Sequence, residues 1–487
     1  MPCCDDGKLV VEPKNGCLPI IIPGNDPFYS DKVECIRFVR SSPAMDIGLN
    51  YKEMQQINQN TAFIDASHVY GSNDIVADYV RTKSGGRLKT SDNDDTGKPM
   101  PPFGGHLTDA PACPKAIEDG APKCPITLEK DCFLAGDVRI DMVPGLIVIH
   151  TAFIRFHNII AYQLSSFNTN WDDETIYQET RRIVGALFQL ITYRDWLPIL
   201  LGDKVMNDYN LNVASGGYSK TYNPVVIPTI RNVFATAAFR FGHSLPGDIL
   251  KAAEKKDDFN QTFHFFDTCI IQKAKTSPSS MLKGLARCPM EPFDTVVGSA
   301  LRDRLFERPA GPENDPPQPG LDLLSLNLMR GRDHGIPAYP KWREFCGLPP
   351  VEKFKQLKKA MGKKIAKKFK KTYNGKIKDI DLFAAGLAEK PLPDGILGPT
   401  FSCIIALQFK WLKHGDRFWY ESKEQPKPFT PDQLRALRQT SLASILCKVT
   451  EGLYKFQKNP FLTTDVPGND VMDCSNHKFI DLSHWQE

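Results

Sequence analysis

The pattern of apolar and polar positions changes character near residue 125 of the chain. Residues 1–125 are rich in Pro, Gly, Asp and Cys and have few periodic apolar runs, which indicates irregular structure with a short helix near residues 52–59. Beyond this point apolar residues recur every three or four positions, the spacing of helices that face a core. The sequence therefore predicts a mainly α-helical protein with little β-structure and an irregular N-terminal segment.

The apolar periodicity also predicts where the main helices lie. The expected spans are residues 144–167, 175–193, 228–243, 296–307, 351–371, 400–413 and a segment after Thr430, where Thr-Pro is a favourable N-cap and first-turn pair. Residues 308–320 contain five prolines and are the strongest linker candidate. We expect one large helical domain, because no repeat of fixed period divides the chain.

Composition and charge narrow the class of protein. With 487 residues, 41% hydrophobic and 24% charged, the chain resembles an ordinary globular protein, and a net charge of +4 gives no general argument for nucleic-acid binding. Positive charge is local, because the segment from Lys353 to Lys371 has ten lysines on an amphipathic pattern. That segment is either a solvated helix face or a contact for a polyanion or a membrane surface. The longest apolar run, residues 145–154, is half the roughly 20 residues of a transmembrane helix, so no such segment is predicted.

Thirteen cysteines without C-x-x-C spacing favour disulfides over a zinc site and thus an oxidising compartment. Their clusters are Cys3, Cys4, Cys17 and Cys35; Cys113, Cys124 and Cys132; Cys269 and Cys288; Cys346 and Cys403; Cys447 and Cys474. The odd total leaves one cysteine free or without its partner. A glycosylation sequon at Asn260 agrees with secretion. We therefore predict an extracellular protein, although no secretory signal opens this chain.

The first candidate for chemistry is His243, at the end of the predicted 228–243 helix and three residues after Arg240. Alone, it fits a buried structural histidine as well as a metal ligand. Asn327 lies in an apolar run just before the cluster that contains Arg330, and its amide carbonyl can accept the N–H of a metal-bound histidine. The arginines can pair with carboxylates. A buried salt-bridge cluster is the alternative explanation.

Two other segments carry oxygen ligands and an arginine. The side-chain oxygens of Thr61, Asp65 and Ser67, with the carbonyl of Phe63, can surround one calcium ion, although ordinary turn hydrogen bonding gives the same pattern. Arg139 precedes the predicted 144–167 helix and can stabilise negative charge on a departing oxygen. An ion pair with the neighbouring aspartates is the alternative.

These segments occur together and in one order, and the chain thereby resembles the animal haem peroxidases. The likeness extends from about Cys17 to Cys474 and includes the motifs Phe239-Arg-Phe-Gly-His243, Arg332-Asp-His-Gly335 and Trp342-Arg-Glu-Phe-Cys-Gly347. The resemblance implies a haem-peroxidase domain over residues 1–487 that reduces hydrogen peroxide and oxidises small organic donors or halides. A haem-binding or adhesive module of the same fold with impaired catalysis is the alternative.

The resemblance also implies roles for individual residues. His243 becomes the proximal ligand of haem b iron, Asn327 its hydrogen-bond partner, Arg240 and Arg330 contacts of the haem propionates, and Arg139 the distal-side arginine. Calcium takes Thr61, Phe63, Asp65 and Ser67. Disulfides join Cys346 to Cys403 and Cys447 to Cys474, which leaves the odd thiol in the group Cys113, Cys124 and Cys132.

The sequence departs from the family pattern in two places. The helix that carries the family's distal histidine lies upstream of the region where this chain begins, so we expect a domain without that helix. Truncation would remove this helix and the secretory signal together. Met142 stands where the family commonly has a glutamate that forms an ester with haem, so we expect haem that acid-acetone extracts.

Overall fold

The computed structural model describes residues 4–5, 7–10, 16–29, 33–44, 54–93, 99–103, 132–253, 258–268, 271, 276–307 and 319–487. Its α-helices are α1 (Ser67–Tyr70), α2 (Asp74–Tyr79), α3 (Pro144–Phe167), α4 (Asp173–Ile191), α5 (Leu197–Leu201), α6 (Asp203–Asp208), α7 (Asn232–Thr236), α8 (Pro278–Arg287), α9 (Ser299–Arg302), α10 (Leu323–Asp333), α11 (Tyr339–Phe345), α12 (Phe354–Met361), α13 (Lys363–Thr372), α14 (Leu382–Ala388), α15 (Pro399–Gly415), α16 (Pro431–Gln439) and α17 (Leu442–Val449). A π-helical turn covers Thr192–Trp196, and 3-10 helices cover Ala238–Ser244, Ile377–Asp379, Cys474–Asn476 and Leu482–Trp485. The chain is mainly α-helical, as the sequence predicted.

The β-structure consists of short antiparallel pairs. The strands are β1 (Cys4–Asp5), β2 (Lys8–Leu9), β3 (Ile20–Ile21), β4 (Cys35–Ile36), β5 (Ser91–Asn93), β6 (Pro99–Met100), β7 (Ile249–Ala252), β8 (Gln261–His264), β9 (Lys455–Gln457) and β10 (Val471–Asp473). Each odd-numbered strand pairs with the next strand along the chain. These pairs are local ribbons that fasten loops to the helical core, so little β-structure is present where the structure is described.

The core is built around α3. The helix begins at Pro144, where a proline costs nothing because the first helical N–H has no partner within the helix. All residues from 150 to 157 are buried, so α3 is covered on every side rather than along one stripe. It is long and apolar enough to cross a membrane by length and composition alone, but most of it is buried inside the protein. This burial agrees with the core helix that the sequence predicted.

Helix α4 packs beside α3 and confirms its predicted stripe. Asp172 caps its N-terminus by accepting a hydrogen bond from the backbone N–H of Thr175 at 2.8 Å. The stripe predicted for this helix, Ile183, Val184, Leu187, Leu190 and Ile191, is buried. The helix passes into the π-helical turn, where the Tyr193 hydroxyl donates to the carbonyl of Phe409 in α15 at 2.7 Å. This bond connects the α3–α4 pair to the next layer of helices.

Several predicted helices are shorter or broken. The predicted 228–243 helix forms α7 and a 3-10 helix that meet at Ala237, and the predicted 351–371 helix breaks at Gly362, whose φ of +83° suits glycine. The predicted 296–307 helix shrinks to α9. Residues 54–59 form no helix, because Gln56 pairs with Pro43 in a β-bridge. Residues 52–53, and 308–318 of the linker candidate, lie outside the described residues.

The disulfides confirm both predicted pairings. Cys346 bonds to Cys403, Cys447 bonds to Cys474, and a further disulfide joins Cys4 to Cys35 in the N-terminal segment. The sequence analysis placed the odd thiol among Cys113, Cys124 and Cys132. Cys132 is disulfide-bonded, so it is not that thiol. Cys288 is a free thiol, and Cys113 and Cys124 lie outside the described residues.

His157 on α3 is a fully buried imidazole that the fold keeps neutral. Its Nε2 lies 2.8 Å from the carbonyl oxygen of Gly86, and its Nδ1 lies 2.8 Å from the Tyr70 hydroxyl. Nε2–H donates to Gly86, and the Tyr70 hydroxyl donates to Nδ1. Burial lowers the pKa of His157 to about 4, although the Gly86 carbonyl favours the charged form. His157 therefore binds a proton in the unfolded chain well before it does so in the folded protein.

We expect the His157 contribution to stability to be complete above about pH 6.5, the ordinary histidine pKa, and to be lost as pH falls toward 4. One additional proton on the unfolded chain lowers the free energy of unfolding by about 1.4 kcal/mol per pH unit in this window. Urea unfolding at several pH values should give a His157→Gln variant a shallower slope than the wild type. The exposed His264 serves as control, and an unchanged slope in His157→Gln would contradict the assignment.

Candidate active site

His243 lies near the end of the 3-10 helix Ala238–Ser244. The preceding α7 ends where the Thr236 hydroxyl donates to the carbonyl of Asn232 at 2.6 Å, an i to i−4 bond that bends helices. A 3-10 helix has three residues per turn, so Arg240 and His243 lie one above the other on the same side. The break at Ala237 therefore brings the two side chains together.

Both side chains contact Asn327, which is fully buried in α10. Asn327 Oδ1 accepts a hydrogen bond from the Arg240 guanidinium, and its Nδ2 lies 2.8 Å from His243 Nδ1. Because Oδ1 serves Arg240, the amide NH₂ donates to Nδ1, and the neutral imidazole carries its proton on Nε2. The resemblance implied that Asn327 is the hydrogen-bond partner of His243, with the amide carbonyl facing the ring; here the amide NH₂ faces it, and the contact of Arg240 with Asn327 was not predicted.

Burial shifts the pKa of both basic groups. It lowers the pKa of His243 to about 4, and the nearby Arg240 charge acts in the same direction. It lowers the pKa of Arg240 to about 10, with a further contribution from Arg330. Arg240 also donates to the carbonyl of Ala235 at 3.0 Å, but no ion pair of the described residues includes it. A partly buried cation without a carboxylate therefore stands beside a neutral imidazole.

Arg330 lies close to Arg240 but is already paired. Its guanidinium donates to Asp333 at 2.9 Å, to the carbonyl of Val39 at 2.9 Å and to the Ser41 hydroxyl at 3.0 Å. These bonds fasten the N-terminal segment to α10, which is the structural role that the sequence left open. Any anion bound by Arg330 would have to compete with Asp333.

Arg139 lies in the turn that leads into α3, paired with Asp137. Its Nε donates to Asp137 Oδ1 at 2.8 Å, and its side chain is 55% exposed. The sequence offered this ion pair as the alternative to a catalytic role. The pair still directs the guanidinium, because Asp137 accepts the Arg139 backbone N–H at 2.8 Å as well.

Two histidines that the sequence interpretation passed over lie near this pair. The rings of His68 and His150 are 5.3 Å apart and nearly perpendicular. Burial, together with His150, lowers the pKa of His68 to about 3, and Asp137 and Arg139 also influence it. His150 Nδ1 lies 2.7 Å from the Leu146 carbonyl, while its buried Nε2 has no protein partner among the described residues. Its position as the one ionisable residue inside the apolar 145–154 run was the available sequence signal.

The proposed calcium segment forms a tight turn before α1. Asp65 Oδ1 accepts from the backbone N–H of Ser67 at 3.0 Å, and Thr61 Oγ1 accepts from that of Phe63 at 3.1 Å. Within the described residues, no group of three or more His, Cys, Asp or Glu side chains could hold a metal ion. Burial raises the pKa of nearby Asp416 to about 6, and the Asp65 charge adds to this shift.

Gly136 holds the Arg139 turn against this segment. Its N–H donates to the carbonyl of Val69 at 3.2 Å, and an added Cβ would overlap backbone atoms of Ser67 and Gly71. Backbone atoms cannot rotate away as a long side chain can. The approach of these two loops therefore requires glycine at this position.

We expect Gly136→Ala to lower the free energy of unfolding by about 1–3 kcal/mol, or more, because the two loops must separate. Gly216→Ala is the matched control, since its Cβ meets no atom within 4 Å. Denaturant unfolding of both variants measures the difference. Equal stability of the two variants would show that the loops separate at no cost.

The chain that carries this arrangement matches a known protein family. The family model described as "Animal haem peroxidase" matches residues 1–461. The chain belongs to the animal haem peroxidase family. The cluster of Arg240, His243 and Asn327 lies inside the matched region.

Individual relatives agree with the family assignment. The chain is 36% identical to human myeloperoxidase over 486 residues, which are 97% of this chain and 61% of that protein. It is also 36% identical to a mouse peroxidasin homolog over 495 residues, which are 97% of this chain and 31% of that protein. The chain thus spans less than two thirds of these relatives. The structure of peroxidase A from Dictyostelium discoideum superposes with a TM-score of 0.74 at 28% identity, covering 93% of this chain and 84% of that one.

The residues around His243 fit a haem group. Among the described residues His243 makes its side-chain hydrogen bond through Nδ1, so Nε2 can take a ligand once its proton moves to Nδ1. Arg240 lacks a carboxylate and is partly buried, as a propionate contact requires. Two features of different chemistry therefore fit the iron and the propionates of one cofactor.

Proposed function

We propose that this peroxidase chain binds haem b through His243, reduces hydrogen peroxide and oxidises small organic donors or halides. The observation that carries the proposal is the contact of His243 and Arg240 with one buried amide, Asn327. Haem, when bound, supplies the redox chemistry, and the protein contributes ligation, orientation and charge.

The first task of the protein is to present a neutral imidazole. The lowered pKa of His243 keeps the ring uncharged near neutral pH, which a metal ligand requires. Ligation through Nε2 would leave the ring proton on Nδ1, and Asn327 would then have to turn its carbonyl toward His243. Arg240 holds that carbonyl in the structure described here. A propionate that attracts Arg240 would release it, which links recognition of the carboxylate to ligation of the iron.

We assign charge stabilisation to Arg139. Its guanidinium stays protonated at all relevant pH values, and Asp137 holds it in one orientation. A fixed cation of this kind stabilises negative charge that develops on an oxygen. Arg330, which Asp333 already neutralises, is assigned the weaker propionate contact.

We also propose a calcium ion at Thr61, Phe63, Asp65 and Ser67. Calcium prefers carboxylate, carbonyl and hydroxyl oxygens, which these residues supply within one turn. The cation would be a structural one, because the turn joins the Gly136 loop that leads to Arg139. The disulfides support an extracellular location, since they persist in oxidising compartments.

Titration of the purified chain with hemin, followed by a guaiacol assay with hydrogen peroxide, tests the proposal. A Soret band with turnover is the expected result. A Soret band without turnover would favour the alternative, a haem-binding module with impaired catalysis. Absence of hemin binding would contradict both functions.

A further inference from the structure

One segment of the protein carries an unusual concentration of positive charge. We call residues 351–378, which contain α12 and α13, the lysine hairpin. It has twelve lysines, no arginine and a single acidic residue, Glu352. Because the whole chain carries +4 and the hairpin +11, the remaining residues together carry −7. Positive charge is therefore concentrated on this one surface.

The lysines are exposed and lack partners of opposite charge. All twelve side chains lie in exposed residues, and none takes part in an ion pair of the described structure. On α13, Lys363, Lys367 and Lys371 follow one another at intervals of four residues, where like charges face each other and destabilise a helix. An ordinary solvated face mixes charges of both signs. This face has positive charges only, so a bound anion would stabilise it.

The opposite side of the hairpin packs against the protein. Leu357, Met361 and Ala366 are buried, and the Cys346 to Cys403 disulfide lies just before the hairpin. No large apolar side chain between residues 351 and 378 is exposed. A helix that binds in the plane of a membrane needs an apolar face to insert among the lipids. The apolar face of the hairpin is packed against the protein, so the hairpin has no apolar surface with which to bind a membrane.

A nucleic acid fits less well than a saccharide polyanion. Reading of base edges relies largely on arginine, and binding of single strands relies on exposed aromatic rings. The hairpin has no arginine, and Phe369 and Tyr373 stack on each other with ring centroids 5.8 Å apart. The compact ammonium groups of lysine instead act as point charges toward sulfate or phosphate groups.

The lysine hairpin contains a surface groove in which a linear polymer can bind. The groove has a volume of about 710 Å³, and Lys353, Lys355, Lys370, Lys376 and Lys378 line it. The acidic residues Glu352 and Asp379 lie at its wall as well. The lysines of α13 continue the positive surface beyond the groove. A linear polyanion can therefore contact many lysines at once without entering the protein.

We propose that the lysine hairpin binds a sulfated polysaccharide and anchors the protein to an extracellular matrix or cell surface. The disulfides point to an oxidising compartment outside the cytosol, where sulfated polysaccharides are the polyanions to expect. Binding rests on charge and shape alone, so it weakens as salt rises. The site is separate from His243 and does not depend on bound haem.

The test compares two triple variants of the whole chain. Lys363→Gln, Lys367→Gln and Lys371→Gln remove charge from one face of α13, while Lys220→Gln, Lys423→Gln and Lys478→Gln remove the same charge from exposed lysines elsewhere. Binding to heparin is measured by calorimetry at several salt concentrations. We expect the hairpin variant to lose about tenfold or more in affinity and to show a shallower salt dependence, and the control to change little.

Two other polyanions test whether the lysine hairpin prefers a sulfated polysaccharide. A short DNA duplex and vesicles with phosphatidylserine are measured under the same conditions, and both should bind more weakly than heparin. Tighter binding of either one, or equal losses in the two triple variants, would overturn the proposal. Thermal unfolding checks that the hairpin variant is folded, and we expect its melting temperature to stay equal or rise, because like charges have been removed.

Discussion

His243→Ala is expected to remove the Soret band that hemin produces with the wild-type chain. The imidazole is the neutral ligand that this site offers, and its partner Asn327 cannot bind iron in its place. Loss of an outer-shell partner of a metal ligand typically costs about 10-fold to 100-fold in affinity, and loss of the ligand itself should cost more. Hemin titration monitored by absorbance, with peroxide-dependent guaiacol oxidation alongside, measures both consequences.

The exposed His264 on β8 gives a matched control, because His264→Ala removes the same side chain from a position outside the cluster of Arg240, His243 and Asn327. This variant should keep the Soret band and the wild-type rate. A band of unchanged position in His243→Ala would mean that another residue ligates the iron. In that case the cluster of Arg240, His243 and Asn327 would be a structural feature only.

Glu389→Gln is expected to lower the free energy of unfolding by about 3–5 kcal/mol, the typical cost of removing one partner from a buried ion pair. Glu389 is buried with no exposed side-chain surface, and it accepts hydrogen bonds from Arg343 at 2.7 Å, Tyr339 at 2.5 Å and the Thr400 N–H at 2.8 Å. The glutamine would leave the Arg343 charge buried without compensation. Because Glu389 directly follows α14, which packs on the 3-10 helix of His243, haem affinity should fall as well.

The control for this prediction is Glu344→Gln. Glu344 pairs with Lys341 at 2.9 Å, but both side chains are about 70% exposed, and such surface pairs contribute at most about 1 kcal/mol. Urea unfolding at pH 7 measures both variants. Similar losses of stability in the two would show that burial does not strengthen the Glu389 pair.

The sequence by itself determined the helical class and the longest elements. Apolar periodicity located α3, α4 and α15 to within two residues at each end, because their burial depends on spacing within one helix. Thr430 caps α16 as predicted, through a bond to Gln433 N–H at 3.2 Å. The ordered motifs identified the family, and the resemblance supplied the disulfides of Cys346 and Cys447.

The tertiary structure alone decided how the candidate site is assembled. His243 and Arg240 lie 84 and 87 positions before Asn327 in the chain, and no local pattern shows that they share its side-chain amide. Apolar periodicity also cannot predict the break at Ala237. The local sequence favours a continuous helix, but tertiary packing around the 3-10 helix outweighs this preference. Arg330 donates to the Val39 carbonyl and to the Ser41 hydroxyl, 291 and 289 positions away, for the same reason. Local spacing fixes which face of a helix is buried, whereas the partner of a buried charge depends on how distant segments pack.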